Sequence, residues 1–229
     1  MNARESAFLS LQKYENSGVY SNIELSYAIE RGGLEGAEKA LYTALFYGVI
    51  ERKLTLDYYI SLLSAREDID LNVRIILRMG LYQLIYMTKI PESAAVNESV
   101  KLATRFYAKK NSSNFINAVL RNYIRKKDTL KLPDEEKEPT KYLSVRYSVP
   151  EWICRLWIQA YGKEKTEVEE FCRLNNKLAE VQRKNEIFFA TFFPFKTCLR
   201  AKISLYIREI SSKERILICI SSASSFNLS

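Results

Sequence analysis

The chain has 229 residues, a formal net charge of +8 and a hydrophobic fraction of 47%, which is enough for one core and an appended segment. It has no histidine, which excludes a Ser-His-Asp triad and histidine-ligated zinc, and its four cysteines form no CxxC pair, so no metal is expected. No apolar run approaches the roughly 18 residues of a membrane span, and the polar start Met1–Glu5 lacks a signal-peptide core, so a cytoplasmic location is expected.

The first two predicted helices follow recognisable start signals. Asn2 and Glu5 have the spacing of a capping box, and apolar residues then recur at helical spacing. Ser21 and Glu24 repeat this signal for the second helix. The pair Gly32–Gly33 is expected to stop that helix.

Further helices are predicted along residues 35–106. The segment 35–64 has apolar residues at helical spacing and is expected to form either one bent helix or two. Asp70 is expected to cap the next helix, within whose apolar stripe Gly80 would let two helices approach closely. Pro91 suits the first turn of the following helix, because that position needs no amide hydrogen.

A loop at residues 111–113 precedes the last helix of this series, which has apolar positions at Ile116 and Leu120. Asn97 and Asn117 lie in strongly helical segments and could be buried, where they would tie helices together; for Asn117 we favour this role over the alternative of a contact with RNA. No segment alternates with a period of two, so the predicted fold class is all-α.

The chain is predicted to have four parts. Residues 1–130 form a helical domain, and residues 131–146 form a linker with two prolines and an acidic cluster. Residues 147–185 form a helical connecting segment. Residues 186–229 are expected to be a poorly ordered tail, because they have no glycine and their phenylalanines lack a helical period.

Within the connecting segment, Pro150 is expected to begin a helix. Its buried face is predicted to include Ile153, Leu156 and Trp157. The cysteines are expected to be free thiols, as in a reducing compartment.

Basic residues are concentrated between residues 101 and 127, where the chain has no acidic residue. On two consecutive helices and their loop, this charge would concentrate positive potential on one side of the bundle, at the density that phosphate binding needs. Arg4 is expected to join that surface. The alternative, that these residues only solvate helix faces, stays open. The basic residues are Lys101, Arg105, Lys109, Lys110, Arg121, Arg125, Lys126 and Lys127.

Four sequence motifs resemble the signatures of the NusB family, in the same order. They are LFYGVIER at 45–52, RIILRMGLYQL at 74–84, IPESAAVNE at 90–98 and FINAVLRN at 115–122. The resemblance covers about residues 2–127 and implies an all-helical RNA-binding domain.

Two further motifs, YSVPEW at 147–152 and WIQAYG at 157–162, resemble the connecting segment of the RsmB (Sun/Fmu) type of ribosomal RNA cytosine-C5 methyltransferase. In that branch a NusB-like domain presents ribosomal RNA to a catalytic domain that uses S-adenosylmethionine. The resemblance implies RNA contacts at Arg4, Lys101, Arg105, Arg121 and Arg125, and Lys109 and Lys110 are added on charge alone.

The resemblance ends near residue 185. Beyond it we find neither the glycine-rich cofactor loop of the family nor its two catalytic cysteine motifs, and Cys198 lacks the surrounding residues of either motif. We therefore expect no catalytic residue and no cofactor site in this chain, as after a frameshift or a premature stop.

The predicted function is that of the RNA-binding, NusB-like domain of a ribosomal RNA methyltransferase without its catalytic domain, with small-subunit ribosomal RNA as partner. One alternative is a NusB-type transcription antitermination factor that also binds a ribosomal protein, which the connecting-segment motifs disfavour. Another is a helical adaptor that binds only protein and has no salt-sensitive affinity for RNA.

Overall fold

The computed structural model describes residues 1–18, 21–64, 66, 68–106, 111–161, 168–169 and 172–173. The chain divides into two units, Met1–Cys154 and Arg155–Ser229, and the site described below belongs to the first. The predictions for Lys109, Lys110 and the tail from residue 186 lie outside the described residues. None of the helices that the structure describes is long and apolar enough to span a membrane.

Every regular element in the described part is a helix, as the sequence predicts. The helices are α1 (Ala3–Ser17), α2 (Ser21–Gly32), α3 (Gly36–Glu51), α4 (Lys53–Leu63), α5 (Leu71–Tyr86), α6 (Glu92–Phe106), α7 (Ser112–Lys126), α8 (Pro139–Tyr147) and α9 (Glu151–Tyr161). The segment 35–64 thus contains two helices, α3 and α4, joined at Arg52.

The predicted end signals of three helices are present. At α1 the Asn2 side chain accepts a hydrogen bond from the Glu5 amide at 2.9 Å, and the Glu5 carboxylate accepts one from the Asn2 amide at 3.3 Å. Asp70 caps α5 by accepting from the Asn72 amide at 2.9 Å. Helix α2 ends before Gly33, whose φ of 56° favours glycine.

Helix α5 lies at the centre of the bundle and contacts α1, α3, α4, α6 and α7. The close approach predicted at Gly80 is confirmed. A Cβ atom there would lie 2.7 Å from Leu120 Cδ1 and 2.9 Å from Ser99 Oγ, so no larger side chain fits without movement of α6 or α7.

A buried ion network joins α1, α4 and α5. The Arg78 side chain is 4% exposed, and its Nε and Nη2 donate to the two Asp57 carboxylate oxygens at 2.7 Å each. Its Nη1 donates to Glu15 at 3.1 Å, and Lys53 reaches the same carboxylate at 2.7 Å. Since a buried guanidinium is costly without partners, this pairing couples the positions of three helices.

Helices α4 and α8 are joined end to end by two hydrogen bonds. The Ser148 hydroxyl accepts from the Leu54 amide at 3.0 Å, and the Thr55 hydroxyl donates to the Val145 carbonyl at 2.5 Å. Helix α4 has no side-chain cap at its own N-cap residue, so Ser148 supplies one from a distant part of the chain. We name these two hydrogen bonds the α4–α8 clasp.

Helix α8 lies mostly where the sequence predicts a linker, over 131–146. Pro139 does not interrupt structure there but begins α8, at a position that needs no amide hydrogen. Tyr142 and Val145 of α8 are buried, and the Tyr58 hydroxyl donates to the Lys131 carbonyl at 3.1 Å. Local sequence suggested a linker because the surface that buries α8 comes from α4.

Helix α9 begins one residue after Pro150, as predicted, and Ile153 is buried. The prediction for Leu156 is wrong, because its side chain is 46% exposed. The buried side of α9 is centred between Ile153 and Cys154, and at 100° per residue Leu156 falls outside it. Two free thiols lie among the described residues, at Cys154 and Cys172, and both are buried.

Candidate nucleic-acid interface

A polar cavity of about 240 Å³ opens between the start of α1 and the C-terminal half of α6. Its lining residues are Asn2, Arg4, Glu5, Glu98, Lys101, Leu102 and Arg105. We name it the α1–α6 cavity. It brings together three of the basic residues that the sequence predicts as RNA contacts, from two distant segments.

Arg4 is held in the cavity by a buried amide of α5. Its Nε donates to Gln83 Oε1 at 2.8 Å, and Gln83 is 1% exposed. The amide nitrogen of Gln83 donates in turn to the Met79 carbonyl at 3.0 Å, which fixes the orientation of the amide. One edge of the Arg4 guanidinium is therefore anchored, and its terminal nitrogens can meet another acceptor.

Arg105 is held by a buried carboxylate of α1. Its Nη1 pairs with Glu5, whose side chain is 7% exposed, whereas the Arg105 side chain is 64% exposed. The guanidinium lies 5.4 Å from the centroid of the Phe106 ring. Arg105 is thus fixed on one side and open to solvent on the other.

Lys101 is the most exposed cation of the cavity, with 73% of its side chain accessible, and it pairs with Glu98 at 2.7 Å. An exposed pair of this kind contributes little to stability, since water screens it. With three cations and two carboxylates, the lining has a net charge of +1.

Helix N-termini often bind phosphate through free amides, but two first-turn amides of α1 already have partners within the chain. The Glu5 amide is bonded to the Asn2 side chain, and the Ala3 amide donates to the Glu38 carboxylate at 2.6 Å. These two amides are occupied within the chain, and the cavity offers the side chains of Arg4, Lys101 and Arg105 as donors to a phosphate.

Arg121 and Arg125 are exposed on α7 and, among the described residues, do not line the α1–α6 cavity. Arg121 Nε donates to Asn117 Oδ1 at 2.9 Å, so Asn117 orients a guanidinium within its own helix. It is only half-buried, and Asn97 is exposed. The prediction that these asparagines are buried between helices is therefore wrong, because both fall outside the buried stripe of their helix.

The stretch 101–127 contains no acidic residue, but in the folded chain acidic residues from outside the stretch contact it. Three of its basic residues pair with carboxylates from elsewhere in the chain: Lys101 with Glu98, Arg105 with Glu5, and Lys127 with Glu92 at 3.0 Å. The hydrogen bond to Glu92 raises the pKa of Lys127. Gln83 was not predicted and Glu5 was assigned only to the helix cap, because their contacts with Arg4 and Arg105 are tertiary. Glu98 was also missed, although its i,i+3 spacing from Lys101 is a local signal that could have identified it.

The described helices form an all-helical bundle of the RNA-binding NusB type. The chain belongs to the NusB family, whose model matches residues 1–125.

The curated relatives fall into two groups. The probable ribosomal RNA small subunit methyltransferase B of Bacillus subtilis is 33% identical over 173 residues, which cover 75% of this chain and 38% of the relative. The protein of the same name in Synechocystis is 36% identical over 172 residues, covering 73% and 37%. The transcription antitermination protein NusB of Bacillus velezensis is 35% identical over 123 residues, covering 52% of this chain and 91% of that protein. The chain thus spans less than half the length of the methyltransferase relatives.

The methyltransferase names of these relatives imply S-adenosylmethionine, which doubly wound folds bind at a glycine-rich turn between a strand and a helix. The part of the chain that the structure describes has no strand, and its adjacent glycines, Gly32 and Gly33, end α2. The described residues do not fit this cofactor, and we assign them no step through it. They also contain no cluster of metal-ligating side chains.

Proposed function

We propose that the chain binds small-subunit ribosomal RNA, with Arg4, Lys101 and Arg105 contacting backbone phosphates at the α1–α6 cavity. The supporting observation is that three cations from distant segments meet at one concave polar surface, two of them anchored by buried partners. Arginine has the planar fork that suits phosphate oxygens. The described residues are proposed to position RNA rather than to transfer methyl groups.

The match lengths support the ribosomal RNA branch. The methyltransferase relatives align over 172 and 173 residues of this chain, whereas the antitermination relative aligns over 123. The additional length corresponds to a region that includes α8, which is packed on the bundle through the α4–α8 clasp.

The shape of the cavity favours unpaired RNA. Its volume of about 240 Å³ is on the scale of a phosphate and its immediate surroundings rather than of a duplex. Single-stranded loops can turn an unstacked base as well as a phosphate into such a recess, whereas a regular A-form helix presents only its phosphates and sugars there. Arg121 and Arg125 are proposed to extend the contact along α7.

A salt titration tests this function. The full chain is titrated with small-subunit ribosomal RNA from a strain that lacks the corresponding methyltransferase, at several potassium chloride concentrations. With about four to six phosphate contacts, the log–log slope is expected to be on the order of −3 to −5. Replacing Arg4, Lys101 and Arg105 together by Ala should reduce the steepness of the slope by about 2 to 3. The control Lys131→Ala removes an exposed cation of the α7–α8 connection and should bind like the native chain. Absence of binding at low salt would refute RNA binding.

Transcription antitermination is the second candidate, because this chain covers 91% of the Bacillus velezensis NusB protein. It predicts that a boxA-type RNA competes with ribosomal RNA and that a ribosomal protein strengthens binding. The first proposal predicts a preference for ribosomal RNA without that protein. A competition titration with both RNAs, with and without the protein, separates the two.

A further inference from the structure

We infer that Glu5 and Gln83 are positioning residues for RNA binding, which hold the guanidinium groups of Arg105 and Arg4 ready for phosphate. This inference rests on the proposed function. It assigns the buried carboxylate a role opposite to the one expected from its charge, since a negative group near RNA is ordinarily repulsive.

The Glu5 side chain is fixed by a second contact, in addition to its pairing with Arg105. One carboxylate oxygen accepts from the Asn2 amide, the other pairs with Arg105, and the side chain is 7% exposed. A carboxylate held by the helix cap therefore fixes one end of a long side chain that otherwise has many rotamers. Ordering such a side chain before binding removes an entropic cost from the binding step.

Gln83 provides the same arrangement without a charge. It is fixed by its bond to the Met79 carbonyl and accepts from Arg4 Nε, and it is as buried as the core around it. Two arginines of one cavity are thus each anchored by a buried partner that is oriented by the backbone. Lys101, whose partner Glu98 lies on the same helix surface, has no such buried anchor.

The decisive variant is Glu5→Gln in the full chain. Glutamine is accepted at this position of a capping box, so the start of α1 is kept while the charge is lost. The variant gains one unit of positive charge, so simple electrostatics predicts tighter RNA binding. Positioning predicts weaker binding, by about three- to tenfold, the range for ordering one long side chain. Glu30→Gln, which removes an exposed carboxylate from α2, is the matched control and should not weaken binding.

A double-variant cycle shows whether Glu5 acts through Arg105. If it does, Glu5→Gln weakens binding in the native chain and has no further effect beside Arg105→Ala. Equal weakening in both backgrounds would overturn the inference, as would tighter binding by Glu5→Gln. Arg105→Ala alone should make the salt slope shallower by about 0.7 to 0.9. If it does not, the proposed contact itself is refuted.

Gln83→Met is the charge-neutral counterpart. It keeps the side-chain volume and removes both the acceptor for Arg4 and the donor to the Met79 carbonyl. RNA binding should weaken about three- to tenfold, and only while Arg4 is present. Thermal melting of each variant identifies a loss of folded protein, which would lower the bound fraction without changing the salt slope. Unchanged affinity in Gln83→Met would overturn the inference for Arg4.

Discussion

Arg78 and Arg105 show the same pairing of a guanidinium with carboxylates in two regions of one bundle. Arg78 lies in the interior, where Nε, Nη1 and Nη2 all donate to Asp57 and Glu15 and the side chain is 4% exposed. Arg105 lies at the α1–α6 cavity, uses Nη1 for Glu5, and is 64% exposed. The hydrogen-bond donors of Arg78 are used within the protein, whereas Arg105 has donors that can bind a ligand. Exposure and unused donors, rather than residue type, distinguish the two roles.

The largest loss of stability is expected when Arg78 is replaced. Arg78→Met should lower the free energy of unfolding by about 3 kcal/mol, because the Asp57 and Glu15 carboxylates lose their buried cation. Urea unfolding followed by circular dichroism measures the change. RNA affinity per folded molecule should stay the same. A loss below about 1 kcal/mol would show that the network is dispensable.

The interior should also resist added volume. Gly80→Leu is expected to cost roughly 1–3 kcal/mol, because the new side chain would overlap Leu120 and Ser99. The same urea titration tests this value. Gly18→Leu is not a suitable control because that glycine has a positive φ, whereas the exposed helix position Ala118→Leu adds the same side chain without a buried neighbour. An equal cost at both positions would contradict close packing at Gly80.

The α4–α8 clasp should have an intermediate effect. Ser148→Ala is expected to cost about 1 kcal/mol, the usual value for a lost helix cap. Thr55→Val should cost a similar amount, since the Val145 carbonyl loses its donor. Because both bonds join the same helix ends, the double variant should lose less than the sum of the two. Strict additivity in unfolding titrations would mean that the bonds act separately.

The smallest effect on stability is expected at the cavity surface. Lys101→Gln should change the free energy of unfolding by less than about 0.5 kcal/mol, because the side chain is 73% exposed. Its RNA salt slope should nevertheless become shallower by about 0.7 to 0.9. If Lys101→Gln lowers the stability and leaves the salt slope unchanged, Lys101 supports the fold, as Arg78 does, and does not contact RNA.

Local signals predicted much of the bundle. The capping box at Asn2 and Glu5, the cap at Asp70 and the close packing at Gly80 were all readable, because each depends on spacing within one segment or on one residue's size. The cavity was readable only in part. Charge pointed to Lys101 and Arg105 and the family resemblance to Arg4, but nothing local places Glu5 beside Arg105, 100 residues away.

The errors have the same origin. The linker prediction over 131–146 missed α8 because its apolar side chains are buried by another helix. Asn97 was expected to be buried from its helical context alone, yet helix formation does not decide which face meets the core. Most of the helices could be predicted from the sequence, whereas their tertiary partners could not.

The α4–α8 clasp shows that the boundary of the NusB family model differs from the boundary of the folding unit. The NusB family model ends at residue 125, although the methyltransferase relatives align over a longer stretch. An expression fragment cut at residue 125 would leave the Leu54 amide and the Thr55 hydroxyl without their partners and remove the Lys131 carbonyl from Tyr58. In a cooperative unfolding transition, the stretch that contains α8 should melt with the bundle. In hydrogen exchange, the Leu54 amide should report the opening of a segment more than 90 residues further along the chain. The segment that the NusB family model matches and the segment that folds as one unit therefore end at different residues.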